Sequence, residues 1–285
     1  MILSPQHSAP RRHLWRGVRR SLGRSGAAAV LLLALSGCGS APGIDLPPAG
    51  GTPDYQLGGA YDPAPEVTIV GRDRSADPAP GVYSICYVNG FQTQPGELDV
   101  FPDETLLRGQ DGKIRFDPDW PDEALLDTST AERRAAVLAV ISPWVEGCAR
   151  DGFDAVEFDN LDSYTRSGGV LTRDHNLALA SELVRVAHGA GLAAGQKNAA
   201  EDAAVLQERA GFDFAVTEEC SVFSECPAYT DVYGEHVIDI EYTDELPRPF
   251  IEMCADPDAP GTMVLRDRLL SVPGDPDYAF TSCPR

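Results

Sequence analysis

Strand-like and helix-like segments alternate along most of this chain, and the alternation restricts its fold more than any other feature. Runs rich in β-branched, aromatic and small apolar residues occupy 81–90, 153–159, 192–198, 212–219, 236–242 and 262–267. Apolar residues recur at helical spacing between them, in 130–152, 172–191 and 200–211. The strands are apolar enough to be covered on both faces, as in a parallel sheet. We therefore predict an α/β fold built as a single (β/α)8 TIM-type barrel, not necessarily a regular one.

Several local signals support this assignment. Thr172 is placed to cap the second predicted helix, and Gly189 and Gly191 to close it. Pro143 is expected to bend the first helix or to end its first half. An open doubly wound sheet is the alternative fold. Its nucleotide-binding form has little support, because no glycine-rich phosphate turn follows the 81–90 strand.

Residues 1–37 have the composition of an export signal. Residues 1–25 carry six arginines and no acidic residue, and a short apolar run follows at 27–35. This run is too short to cross a bilayer as a stable helix. It leads into Leu-Ser-Gly-Cys, which resembles a bacterial lipoprotein box in which Cys38 is lipidated and becomes the new N-terminus. A plain secretory signal with an incidental Cys38 is the alternative.

The sequence after the signal divides into two parts. Residues 38–66 are rich in Gly, Pro, Ala and Asp, which is typical of a flexible tether. Residues 67–285 then form one barrel domain, which we expect to act as a monomer. The predicted location is outside the cytoplasm, on a membrane lipoprotein that faces the extracellular side or the periplasm.

The mature chain is strongly acidic. The whole sequence has a formal net charge of −21, and removing the six arginines of residues 1–37 leaves −27 for residues 38–285. Such a surface repels nucleic acid and suits a cationic partner.

Cysteine usage agrees with export. Apart from Cys38, the chain has six cysteines, an even number that favours disulfides in an oxidising compartment. Cys220 and Cys226 are close enough to close a local loop, and Cys254 with Cys283 would tie down the C-terminal tail, which leaves Cys86 to pair with Cys148. A zinc site is the alternative, but the sequence has no C-x-x-C pair and its five histidines are scattered. We expect no metal and no cofactor.

Polar side chains stand where the strongest predicted strands end. The endings are Tyr87 to Asn89, Glu157 to Asn160, Gln196 to Asn198, Thr217 to Glu219, and Glu241 with Tyr242. One carboxylate after a strand is usually a solvated loop residue. Five such endings in a parallel α/β fold predict a ring of hydrogen-bonding groups at one edge. Such a ring suits hydroxyl-rich sugars, and Tyr87, Phe91, Tyr164 and Tyr242 are placed to stack on sugar faces.

Four blocks carry a resemblance to a known family. "CYVNG", "DGFDAVEFDNLDSY", "GQKN" and "FAVTEECSVFSEC" occur in this order and cover about residues 54 to 270. Together they resemble glycoside hydrolase family 114, the endo-α-1,4-polygalactosaminidases. The resemblance implies a (β/α)8-type barrel that acts on galactosamine-containing polysaccharide. It also implies two catalytic carboxylates, which match Asp159 and Glu218.

The chemistry of glycoside hydrolysis fits these positions. One carboxylic acid protonates the leaving oxygen, and one carboxylate acts as nucleophile or base. We expect Asp159 to be the nucleophile or base and Glu218 the acid. Glu157 shares a strand face with Asp159 and either takes part in catalysis or orients Lys197 or a loop amide. Lys197, one of two lysines in the chain, either holds a catalytic carboxylate ionised or forms a structural salt bridge.

Other residues of the strand ends are candidates for substrate binding. They are Tyr87, Asn89, Asn160, Asp162, Tyr164 and Asn198, with Glu157 and Lys197. Asp239 and Glu241 are expected to form a further inward-facing pair that attracts ammonium groups, with a solvated strand end as the alternative.

The sequence thus predicts a membrane-anchored endo-glycosidase that cleaves α-linked, galactosamine-containing and cationic polysaccharide. A second hypothesis is a glycan-binding lipoprotein on the same barrel that has lost catalysis. A third is a transport or structural lipoprotein that binds a cation such as Ca²⁺, although no D-x-D-x-D-G loop supports it.

Overall fold

A computed structural model describes residues 43–284. It shows an α/β fold in which one nine-stranded β-sheet forms a barrel. Nine strands are paired in chain order, the first eight in parallel and the last antiparallel to its neighbour. They are β1 (Pro53–Tyr55), β2 (Ile69–Asp73), β3 (Tyr83–Asn89), β4 (Ala155–Asp159), β5 (Ala193–Lys197), β6 (Phe214–Glu218), β7 (Val237–Tyr242), β8 (Thr262–Arg266) and β9 (Phe280–Ser282).

Six α-helices lie between these strands. They are α1 (Ala131–Asp151), α2 (Arg173–Gly189), α3 (Ala203–Val205), α4 (Cys220–Phe223), α5 (Cys226–Tyr233) and α6 (Phe250–Cys254). Short 3-10 helices occupy Leu98–Val100, Asp103–Thr105, Ser163–Arg166 and Ala200–Asp202, and a π-helix spans Leu206–Ala210. The connections 56–68 and 74–82 contain no helix, so the first two crossovers depart from a regular (β/α)8 pattern.

The barrel is nearly closed, and a buried arginine bridges the seam between its first and eighth strands. Arg266 of β8 is fully buried and donates a hydrogen bond to Asp54 Oδ1 of β1 over 2.7 Å. It also donates to the Tyr55 carbonyl oxygen. One guanidinium thus joins the two strands at the seam, and the sheet forms a TIM-type barrel as predicted.

Alternate residues along each strand pack on opposite sides of the barrel wall. The interior cluster includes Ile69, Ile85, Ala155, Phe214, Val216, Ile238, Ile240 and Val264. The cluster between the wall and the helices includes Cys86, Val88, Val156, Phe158, Ala194, Ala215 and Val237. Burial on both faces explains why these strands are nearly continuous apolar runs.

The helix cap predicted at Thr172 is confirmed. Thr130 caps α1 and Thr172 caps α2, each accepting a hydrogen bond from a backbone N–H of the first turn. The helix α1 runs through Pro143 without ending there, because it continues to Asp151. The segment 200–211, predicted as one helix, is divided into 3-10, α and π turns.

The boundary predicted at residue 67 is too late. Strand β1 lies inside the stretch 38–66 that was predicted to be a tether, and Asp54 and Tyr55 are buried in the barrel. The strand predicted at 81–90 is therefore the third strand. β1 and β2 were missed because one has three residues and the other includes Gly71 and Arg72, so neither shows an apolar run.

Three disulfides join the predicted cysteine pairs Cys86–Cys148, Cys220–Cys226 and Cys254–Cys283. The first ties β3 to α1, and the last ties α6 to the C-terminal segment. The predicted signal at 1–37 and the lipidation site Cys38 lie outside the described residues. Within 43–284, no helix combines the length and the apolar character needed to cross a membrane.

Candidate active site

A cavity of about 580 Å³ opens at the C-terminal ends of the barrel strands. Its lining includes Tyr87, Asp159, Asn160, Lys197, Asn198 and Glu218, all of them predicted site residues. The remaining lining residues are Leu57, Gly58, Trp120, Glu123, Glu219, Phe223, Tyr242, Arg268, Leu269 and Leu270. The strand endings identified in the sequence therefore do converge on one site.

Three neighbouring strands end in the same way at this cavity. Each finishes on a charged residue that lines it, namely Asp159 on β4, Lys197 on β5 and Glu218 on β6. The next residue in each case, Asn160, Asn198 or Glu219, has a left-handed backbone with φ of 63°, 48° and 61°. Non-glycine residues in this conformation are uncommon and are concentrated at functional sites. This left-handed residue ends each of the three strands directly after the charged residue that lines the cavity.

The Lys197 ammonium stands between the two predicted catalytic carboxylates. Its Nζ lies 3.0 Å from Glu218 Oε2 and 3.8 Å from Asp159 Oδ2. The two carboxylate oxygens are therefore less than about 7 Å apart, an upper limit that is compatible with the separation of about 5–5.5 Å in retaining glycosidases. Since Lys197 is only 2% exposed, this cation is a fixed part of the cavity floor.

Each carboxylate is also held by hydrogen-bond donors. The Tyr87 hydroxyl donates to Asp159 Oδ2 over 2.8 Å, and the Asn160 backbone N–H donates to Asp159 Oδ1 over 2.7 Å. Glu218 accepts from Asn198 Nδ2 over 2.9 Å and from the Tyr242 hydroxyl. Asn198 Oδ1 in turn accepts from the Glu218 backbone N–H over 2.8 Å. Both side chains are fixed before any ligand binds.

These contacts decide the charge of Glu218 in the free protein. Burial disfavours its ionised form, but the Lys197 ammonium and the hydrogen bonds from Tyr242 and Asn198 outweigh that effect and hold its pKa below the usual value. Glu218 is thus a carboxylate in the free protein. The acid role expected of it requires that bound substrate raise its pKa.

A second layer of polar groups lies beneath the pair. Glu157 is fully buried, and its Oε1 accepts a hydrogen bond from the Tyr55 hydroxyl over 2.7 Å. The same hydroxyl accepts a hydrogen bond from Lys197 Nζ over 3.1 Å. Burial raises the pKa of Glu157 to about 7, against the opposing effect of Lys197 and Tyr55. Tyr55, on the strand missed in the sequence, was not predicted to belong to the site.

The paired carboxylates at the end of a parallel barrel agree with a comparison of the sequence with known families. The profile of glycoside-hydrolase family GH114 matches residues 38–285. The chain belongs to this family. It is thus a glycoside hydrolase, and the family implies a polysaccharide substrate.

Two solved structures share this fold. Aspergillus fumigatus Ega3, determined in complex with galactosamine, superposes with a TM-score of 0.66 at 21% identity, covering 86% of this chain and 100% of that one. The glycoside hydrolase domain of Pseudomonas aeruginosa PelA gives a TM-score of 0.53 at 15% identity and covers 82% and 99%. A comparison with curated proteins found no match.

Besides Glu157, Asp239 and Glu241, three residues predicted to bind substrate lie outside the cavity lining of this GH114 protein. Asn89 donates to Glu123 Oε2 over 3.1 Å and so supports a residue that does line it. Asp162 is paired with Arg166 at 2.9 Å. The Tyr164 hydroxyl donates to Asp202 over 2.8 Å. These side chains brace the loops around the GH114 site.

Asp239 and Glu241 do not face the cavity, contrary to the prediction. The inward residues of β7 are Ile238, Ile240 and Tyr242, so the two acids between them point to the helix side. Both are fully buried there. Asp239 accepts hydrogen bonds from Thr217 Oγ1 and Cys220 N, and Glu241 accepts one from Ser221 N. The nearby Cys220 and Cys226 sulfurs are joined as a disulfide and offer no thiolate to a metal.

Glu123 is a cavity residue of this GH114 chain that sequence reasoning missed. It lies on the long connection between β3 and α1, beside the exposed Trp120. Burial, with a contribution from the Asp159 charge, raises the pKa of Glu123 to about 7. No cation forms an ion pair with it among the described residues, unlike Glu219. The connection has no strand or helix periodicity that could have pointed to it.

Arg268 was missed as well. It follows β8 and contacts both Glu219 carboxylate oxygens, through Nη1 at 2.9 Å and Nη2 at 2.8 Å. Its guanidinium also stacks 4.3 Å from the centroid of the Tyr242 ring. Arg268 therefore braces the Glu219 turn and the tyrosine that donates to Glu218.

Exposed apolar side chains line the cavity of this GH114 protein. Trp120 is 63% exposed, Phe223 58% and Leu269 73%. Exposed large apolar groups beside a polar cavity mark a binding surface, and aromatic faces suit sugar rings.

Proposed function

We propose that this protein hydrolyses internal α-linked glycosidic bonds in galactosamine-containing polysaccharide, with Asp159 and Glu218 as its catalytic pair. One observation supports this above all. Two carboxylates, at the ends of β4 and β6 on either side of β5, lie less than about 7 Å apart and both open into one cavity. Such a pair supplies the acid and the nucleophile or base that the reaction requires.

In this proposal Asp159 attacks the anomeric carbon and Glu218 gives a proton to the leaving oxygen. The glycosidic C–O bond breaks as the Asp159 oxygen forms an ester with the sugar. Glu218 then removes a proton from water, which displaces Asp159 and completes hydrolysis. The Tyr87 hydroxyl and the Asn160 N–H fix the attacking carboxylate, and Lys197 balances the charge of the pair.

The preference for galactosamine is supported by charge and by similarity. The cavity lining contains four carboxylates and two cationic side chains, so it has an excess of negative charge. Glu219 is already paired with Arg268, which leaves Glu123 available to a substrate ammonium group. Ega3, solved in complex with galactosamine, has the same fold. We therefore propose a polysaccharide with free amino groups.

Internal cleavage is supported by the shape of the site. A cavity of about 580 Å³ falls in the size range of pockets for ligands larger than one sugar. Trp120 and Phe223 continue the binding surface into solvent. We infer that several consecutive sugars of a chain bind at once, with cleavage between two of them.

The test is direct incubation of the purified protein with α-1,4-galactosamine polymer, free and N-acetylated. Mass spectrometry of the products should show oligosaccharides of several lengths early in the reaction. Release of monosaccharide alone would contradict internal cleavage. Binding of the polymer without any product would favour the second hypothesis, a glycan-binding protein that has lost catalysis.

We further propose that the protein is exported and anchored by a lipid on Cys38, acting as a monomer outside the cytoplasm. The support is the basic and apolar N-terminal sequence that ends in Leu-Ser-Gly-Cys. Labelling with a fatty-acid probe should mark the wild-type protein in the membrane fraction, and Cys38→Ala should remove the label. Equal labelling of the two would contradict the anchor.

A further inference from the structure

Glu157 lies at the floor of the site and takes no part in the proposed reaction. It precedes Asp159 by two residues on β4, so both side chains lie on the inner face of the barrel. Its Oε1 has one partner, the Tyr55 hydroxyl, and its Oε2 has none among the described residues. Burying a carboxyl with an unpartnered oxygen is costly, so the arrangement needs an explanation.

The explanation begins with the connection between Glu157 and the catalytic pair. The Tyr55 hydroxyl donates to Glu157 and accepts from Lys197, which in turn contacts Glu218 and Asp159. The hydroxyl is thus a single hydrogen-bonded link between the buried acid and the shared cation. Any change in the charge of Glu157 is felt at Lys197.

The position of Tyr55 is fixed by its surroundings. A Cβ atom at Gly71 on the neighbouring strand would lie 2.6 Å from the Tyr55 ring, so only glycine leaves room for it. Lys197 Nζ lies 5.1 Å from the centroid of the same ring. The tyrosine is therefore packed into one place between the acid and the cation.

We propose that Glu157, acting through Tyr55 and Lys197, sets the pH range in which the Asp159–Glu218 pair exchanges its proton. This inference rests on the proposed function of that pair. Glu157 is a positioning residue, because it does not line the cavity and reaches the reacting atoms only through Lys197.

The groups that face Glu157 come from five strands. They are Tyr55 on β1, Tyr87 on β3, Asp159 on β4, Lys197 on β5 and Glu218 on β6. Burial raises the pKa of both tyrosines well above 10, so they stay neutral. Lys197 stays charged, because its carboxylate neighbours outweigh burial and raise its pKa. Glu157 is the member of this set whose charge is expected to change near pH 7, where burial places its pKa.

The sign of the effect follows from Coulomb's law. An ionised Glu157 is a third negative charge beside Lys197 and raises the pKa of Glu218. When Glu157 is protonated, its charge no longer offsets that of Lys197. Lys197 then stabilises ionised Glu218 more strongly, and the pKa of Glu218 falls. A permanently neutral residue at 157 should therefore move the proton exchange of the pair to lower pH.

The experiment compares Glu157→Gln and Tyr55→Phe with the full wild-type protein. Because bound substrate must raise the pKa of Glu218 before it can act as an acid, carboxyl-carbon NMR follows the titration of Glu218 in protein saturated with galactosamine. The rate constant kcat, which reports the substrate complex, is measured across pH with galactosamine polymer. Each variant should lower the Glu218 midpoint in the ligand-bound protein and the alkaline limb of kcat by about one pH unit, with KM nearly unchanged. Because both act on one link, the double variant should shift no further than either single one.

Asp239→Asn is the matched control, since Asp239 is another fully buried carboxyl with an unpartnered oxygen but does not contact Lys197. It should leave both readings unchanged. Unshifted Glu218 titration in Glu157→Gln and Tyr55→Phe overturns the inference, as does a shift in Asp239→Asn of equal size. Absence of turnover in every protein, with the NMR shifts present, would refute the proposed function and support the coupling.

Discussion

Lys197 Nζ lies 3.0 Å from Glu218 Oε2, in a protein whose other lysine, Lys113, is exposed on a loop. The contact joins the ends of two neighbouring strands, and the same ammonium reaches Asp159 at 3.8 Å. A buried cation between two carboxylates lets both be present in one cavity without strong mutual repulsion. The site is built around this ion.

Replacing Lys197 with Met should therefore impair both catalysis and folding. Without the cation, Glu218 loses an interaction that keeps its pKa low, and two half-buried carboxylates are left without a counter-ion. We expect kcat to fall by about 10²–10³-fold and stability by roughly 3–5 kcal/mol. Steady-state kinetics and urea unfolding measure the two effects. Lys113→Met removes the same charge from an exposed position and should change neither, so equal losses in both variants would contradict this prediction.

The products should retain the anomeric configuration of the substrate. The nearest oxygens of Asp159 and Glu218 are less than about 7 Å apart, which includes the separation of about 5–5.5 Å used by retaining enzymes and excludes most of the inverting range. Proton NMR of the first products, recorded before mutarotation, reports the configuration. Inverted products would show that water, and not Asp159, attacks the sugar.

Glu123 should determine the preference for free amino groups. It is a cavity carboxylate without an ion-pair partner among the described residues, so a substrate ammonium is its natural partner. Glu123→Gln should raise KM for deacetylated polymer by about tenfold, equivalent to ~1.4 kcal/mol, and leave KM for acetylated polymer nearly unchanged. The adjacent Asp122→Asn removes the same charge from an exposed position. An equal rise in KM in both variants would show that overall acidity, and not this side chain, captures the substrate.

Asp239→Asn should change how stability depends on pH. Burial, together with the neighbouring Glu241, raises the pKa of Asp239 well above 3.8, so its contribution to stability is complete below that pH and is lost as pH rises. Asparagine does not ionise and avoids this loss. Relative to the wild type, the variant should therefore be more stable at pH 8 than at pH 4, as measured by urea unfolding. The same difference at both pH values would mean that Asp239 does not titrate as the structure indicates.

Much of the fold could be predicted because its central strands are long apolar runs. The strands from β3 to β8 and the two long helices follow directly from periodicity and from caps such as Thr172. β1 could not be found in this way, because a strand of three residues is too short to show a hydrophobic pattern and its Asp54 is typical of a loop. That aspartate is buried only because Arg266, more than 200 residues later, closes the barrel against it.

The site residues at strand ends could be predicted from the sequence, and those on connecting loops could not. Asp159, Lys197 and Glu218 end three adjacent parallel strands, so topology alone brings them together. Glu123 and Arg268 reach the cavity from connections whose path depends on tertiary packing. Asp239 and Glu241 were predicted to face the inside of the barrel, but they lie on its outer face. The prediction chose the wrong set of alternate residues on β7, because Tyr242 and not Glu241 points inward.

In the proposed function, Asp159 and Glu218 act together to hydrolyse the polymer. The most direct test is the rate of reducing-end formation from α-1,4-galactosamine polymer by the wild type, Asp159→Asn and Glu218→Gln. The exposed Asp151→Asn serves as the matched control. We expect both site variants to lose activity by at least about 10³-fold while keeping their fold and their affinity for the polymer, and the control to keep full activity. Wild-type rates in either site variant would contradict this expectation.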